Sequence, residues 1–93
     1  MAIAIIAELP GATAEFDEQM TQRMGIAENP APGALARIAG PIQGGWRIMA
    51  VWESQEAWDN FWTQRLEPAL RAAGQEVPQF QLWPLHTVQI NRS

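Results

Sequence analysis

A chain of 93 residues has the length of one domain, taken here as residues 1–93, and folding at that size buries only a modest share of the unfolded surface. Hydrophobic residues make up 47% of it, with five Trp and three Phe, which argues against disorder and leaves an apolar surplus for a partner to cover. The net charge is −4, every basic residue is Arg and Cys is absent, so nucleic acid is not an expected partner, and disulfides, thiolate nucleophiles and thiolate metal sites are excluded.

The opening MAIAIIAELP is apolar, lacks a basic leader and soon reaches Glu8, so it reads as a first strand of a cytoplasmic protein with no membrane association. Ala2 to Ala7, rich in Ile and ended by Leu9-Pro10-Gly11, predicts a central strand buried on both faces. Thr13 then offers an N-cap, Glu15 and Asp17 suit the positive end of a helix dipole, and Phe16, Met20 and Met24 recur at fourfold spacing. A first helix from Thr13 to Met24, stopped by Gly25, follows.

Two Pro and one Gly make residues 26–33 a loop. Ala34 to Ala39 predicts a strand with Leu35, Arg37 and Ala39 on one face and Ala36 and Ile38 on the other. Gly40-Pro41 and Gly44-Gly45 bracket a hairpin turn, and Trp46 to Glu53 forms the return strand. Ser54 is the next N-cap, opening a helix that carries Ala57, Trp58, Phe61, Trp62 and Leu66 at helical spacing. Pro68 predicts a kink or restart, Gly74 an end, and a last strand runs near Phe80 to Ile90, with Pro84 marking an edge position or a bulge.

The order strand, helix, strand, strand, helix, strand gives an α+β domain of ferredoxin-like βαββαβ type: a four-stranded antiparallel sheet with two helices on one face. The other face would expose apolar residues, as monomers seldom do, and a homodimer is expected. The segments PGALARIAGP and GGWRIMAVWES, the helix EAWDNFW, the step LEPAL and the strand PQFQLWPLHTV together resemble the dimeric α+β barrel superfamily, which includes the antibiotic biosynthesis monooxygenase-like domains. The resemblance implies two sheets packed face to face and a pocket between each sheet and its helices. It also implies a His where Arg37 stands and an Asp where Ala50 stands, and this chain departs from both.

His86, the one histidine, is the residue type suited to proton transfer near neutral pH; alternation puts it on an apolar face with Phe80, Leu82 and Val88, where a core or interface histidine is the competing reading. Arg37 lies mid-strand and needs a carboxylate, with Glu53 and Glu8 as internal choices, or else an oxygen-bearing ligand. Trp46, Trp52, Trp58, Phe61, Trp62 and Trp83, with Phe16 and Met20 of the first helix, either fill the core or line a slot for a flat apolar ligand. One His and no Cys make a transition-metal site improbable, and no cofactor is implied; the haem-degrading relatives carry their histidine on a helix, unlike His86. Gly44-Gly45 lacks the strand-to-helix setting of a phosphate loop, and neither Ser54 nor Ser93 has the setting of a nucleophile.

Two functional readings result. One is a small cofactor-independent enzyme of specialised metabolism, a monooxygenase, cyclase or isomerase acting on a hydrophobic polyketide-like or polycyclic substrate, with His86 moving a proton and Arg37 holding a substrate oxygen. The other is a non-catalytic small-molecule-binding or stress-response dimer.

Overall fold

A computed structural model describes residues 1–89. Strand β1 is Ile3–Pro10, helix α1 Ala14–Met24, strand β2 Ala34–Ile42 and strand β3 Gly45–Trp52. Helix α2, Gln55–Phe61, passes through a π-helical turn, Trp62–Leu66, into α3, Glu67–Ala72, and β4 is Phe80–Pro84. The four strands form one antiparallel sheet in the order β2-β3-β1-β4.

Local chemistry sets the helix ends. The Thr13 hydroxyl accepts the Phe16 N–H at 3.2 Å, and Gly25 closes α1 in the left-handed region at φ 65°. The Ser54 hydroxyl accepts the Ala57 N–H at 3.1 Å and opens α2. The break expected at Pro68 takes a particular form: the Glu67 N–H reaches back to the Trp62 carbonyl, closing one wide turn, and Pro68, which has no N–H to lose, sits in the first turn of α3.

Register separates the two faces of the sheet. Ile3, Ile5, Ala7 and Leu9 pair with Trp52, Ala50, Ile48 and Trp46, and these side chains face the helices. Of the remaining β1 positions, Ala4 and Ile6 are only half-buried within the protomer and Glu8 and Pro10 are exposed, because the helices lie on the other side. The expectation of a strand buried on both faces therefore holds for one face of the protomer alone.

The core has two clusters, one built on Ile3, Ile5, Ala31, Trp52 and Trp58 and the other on Met20, Ala69 and Leu70. Trp62 and Leu66, the two ends of the π turn, pack against both. Gly33 ties the loop to this core: its φ is 86°, and a Cβ there would lie 2.5 Å from the Ala57 Cβ.

β4 is shorter than expected. Antiparallel pairing sets Pro84 opposite Ile3, the first residue of β1, so the ladder runs out of partner there. One further bond, from the Leu85 N–H to the Ala2 carbonyl at 2.9 Å, ends the pairing. The expected edge position of Pro84 is observed, whereas His86 lies in a bend beyond the strand, and strand alternation does not carry to it. The proposed strand end at Ile90 lies outside the described residues.

Candidate functional site

The sheet and the helices enclose an apolar cavity of about 280 Å³ whose walls draw on both core clusters. β1, β3 and β4 contribute Ile5, Leu9, Ile48, Ala50, Trp52 and Phe80. α1 contributes Phe16, Met20 and Met24, α2 contributes Trp58 and Phe61, and the segment after it contributes Leu66 and Leu70. Four lining residues are exposed, Pro30, Ala34, Leu35 and Arg37, and they mark the mouth on the β2 side. A bulge between Ala34 and Ala36 leaves Leu35 unpaired at that rim.

The aromatic groups form a connected wall. Trp52 meets Phe61 at 4.9 Å and Trp58 at 5.8 Å between ring centroids, and Trp58 meets Phe80 edge-on at 5.1 Å. Trp62 stands behind this wall, packed on Trp58 and Phe80 without lining the cavity. The Trp52 indole N–H is buried with no hydrogen-bond partner among the described residues, a polar group beside a mostly apolar space.

Among the described residues the lining holds one charged pair. Arg37 Nη1 donates to Asp17 Oδ2 at 3.3 Å, and Nη2 donates to Asp17 Oδ1, so the guanidinium grips the carboxylate with both terminal nitrogens. The counter-charge is thus Asp17, not Glu8 or Glu53. Glu8 instead faces Arg47 across β1 and β3, with Arg47 Nε donating at 2.9 Å. Arg37 and Ala50 are cross-strand partners, so the two departures from the resembled pattern fall on adjoining positions, and the acid at this place comes from α1.

The expected site residues therefore divide. Arg37, Trp52, Trp58, Phe61, Phe16 and Met20 line the cavity together. Trp46 lies on the helix-facing side opposite Leu9, but outside the lining. Trp83 pairs with Ala4 and belongs to the other face of the sheet. His86 is exposed beyond β4 and does not reach the cavity of its own protomer. Sequence reasoning missed Asp17 as a lining group, along with Leu66, Leu70 and Phe80. Asp17 was legible in principle: it stands three and seven residues before Met20 and Met24, hence on their side of α1. Among the described residues no group of three or more His, Cys, Asp or Glu side chains gathers as a metal site would require.

Comparison with solved structures fixes the kind of fold. SnoaB of Streptomyces nogalater, a cofactor-independent oxygenase, matches with a TM-score of 0.69 at 18% identity, over 94% of this chain and 95% of its own. Rv0793 of Mycobacterium tuberculosis matches with a TM-score of 0.71 at 13% identity, over 96% and 100%. A candidate antibiotic biosynthesis monooxygenase from Chloroflexus aurantiacus matches with a TM-score of 0.65 at 13% identity, over 98% and 100%. The fold is that of the antibiotic biosynthesis monooxygenase-like proteins. At these identities the likeness concerns the fold. No family model matches the chain, and no curated protein matches it in sequence. No helix among the described residues is long and apolar enough to cross a membrane.

Proposed function

We propose that this chain is a small cofactor-independent enzyme of specialised metabolism, a monooxygenase, cyclase or isomerase, that takes a hydrophobic polycyclic or polyketide-like molecule into the cavity and works in the cytoplasm as a homodimer. The observation that carries the reading is the apolar, aromatic-walled cavity whose polar side-chain groups, among the described residues, are the Trp52 N–H and the Arg37–Asp17 pair. Shared fold with a cofactor-independent oxygenase is in keeping with it. Catalysis in such a space rests on excluding water and holding a flat molecule in one orientation, with Arg37 polarising a ligand oxygen at the mouth. His86, outside the cavity, is given no step; a hundredfold loss of turnover in His86→Ala would return it to the chemistry.

Satisfaction of Arg37 by Asp17 favours a second reading, a non-catalytic binding dimer, because neither group then stands free for proton transfer. One experiment separates the two. The purified protein, without added cofactor, is incubated with hydroxylated tricyclic aromatics under air and under nitrogen, and products are read by mass spectrometry. Oxygen-dependent product supports the monooxygenase, and product under nitrogen supports a cyclase or isomerase. Tight binding with no product supports the binding module.

A further inference from the structure

The Arg37–Asp17 pair does more than neutralise itself. It joins α1 to β2 at the place where the cavity meets solvent, and among the described residues Arg37 and Asp17 are the only charged ones in the lining. Their exposures differ: the Arg37 side chain keeps 40% of its surface accessible, that of Asp17 only 16%. The carboxylate is thus the more deeply set charge, and a ligand passing the mouth meets it beside the guanidinium.

We propose that this pair sets the charge of the ligand, admitting neutral oxygen-bearing aromatics and rejecting carboxylates. The inference rests on the reading of the cavity as a ligand site. A guanidinium carries five N–H donors, and the two bonds to Asp17 leave others free to meet a carbonyl or hydroxyl oxygen. An anionic ligand gains little from the same guanidinium, because Asp17 already holds its terminal nitrogens and repels a second carboxylate at short range. Among the described residues the apolar walls behind the mouth hold no second cation to receive that charge. Asp17 is therefore a specificity-determining residue, and the Arg37–Asp17 pair offers hydrogen-bond donors at no net charge.

The test uses two probes of nearly equal shape, methyl 2-naphthoate and 2-naphthoate, titrated calorimetrically into the wild-type protein, Asp17→Asn and Arg37→Gln, each first checked for native circular dichroism. Wild type is expected to bind the ester at least about tenfold more tightly than the anion. Asp17→Asn frees the guanidinium and is expected to raise affinity for 2-naphthoate by about tenfold or more, leaving the ester within a few-fold. Arg37→Gln strips Asp17 of its counter-charge and moves 2-naphthoate the opposite way. Should Asp17→Asn and Arg37→Gln both keep the wild-type preference, charge selection by this pair is overturned while the cavity stands as a ligand site. Binding of neither probe by wild type would instead overturn the ligand-site reading, and the selector with it.

Discussion

Trp58 touches Trp52, Phe61, Trp62 and Phe80 and is itself 5% exposed, so it holds the aromatic wall and the first core cluster at once. Trp58→Ala is expected to lower the unfolding free energy by about 3–5 kcal/mol, measured by urea denaturation, because the ring's contacts vanish and the neighbours cannot close the gap. Gly33→Ala fails for a different reason. An added methyl meets the Ala57 Cβ, and the positive φ disfavours any side chain, so a loss of roughly 1–3 kcal/mol is expected from the same measurement. The sequence could announce Trp58, Phe61 and Trp62 as one stripe through their spacing. It could not say that Trp62 stands behind the wall, since the π turn begins at that residue and ends the regular helical period. Nor could it find the partner of Arg37, because a first-turn acid such as Asp17 already has an ordinary explanation in the helix dipole.

Elements were legible where short side chains or special backbones punctuate the chain. Thr13, Gly25 and Ser54 mark helix ends that the structure places where the residue types imply. Removing the Ser54 hydroxyl in Ser54→Ala leaves the Ala57 N–H without its acceptor, and a loss of about 1 kcal/mol, read as a lower denaturant midpoint at unchanged slope, is expected. The end of β4 was not legible, because it depends on where β1 begins and not on anything in PQFQLWPLHTV itself. A strand's length is set by its neighbour as much as by its own residues. His86 was misplaced on that account.

At the scale of the whole molecule, one face of the sheet remains open in the protomer. Register sets Trp83, Ala4, Val51 and Ala36 in one row across it and Gln81, Ile6, Met49 and Ile38 in the next. Ile38 is 63% exposed and Trp83 41%, an apolar surface that the proposed homodimer would cover. Ile38→Glu is therefore expected to weaken self-association by roughly a hundredfold while the protomer keeps its fold, as read by sedimentation against wild type at micromolar concentration. A wild-type protein that sediments as a well-folded monomer under those conditions would remove the dimer from the proposal.

The π turn at Trp62–Leu66 has a consequence of another kind. One residue more than a regular helix needs is held in that loop of backbone, and each helical residue turns the chain by about 100°. The wide turn takes up that extra residue, so a further residue inserted beside it, ahead of Leu66, would have no such outlet and would swing everything after it around the axis. Ala69 and Leu70, now turned toward Met20, would then face elsewhere, and Leu66 would leave the cavity wall. The shape of the cavity is thus encoded partly in chain length: an insertion at this turn would remodel the space while leaving the identity of every other wall residue unchanged.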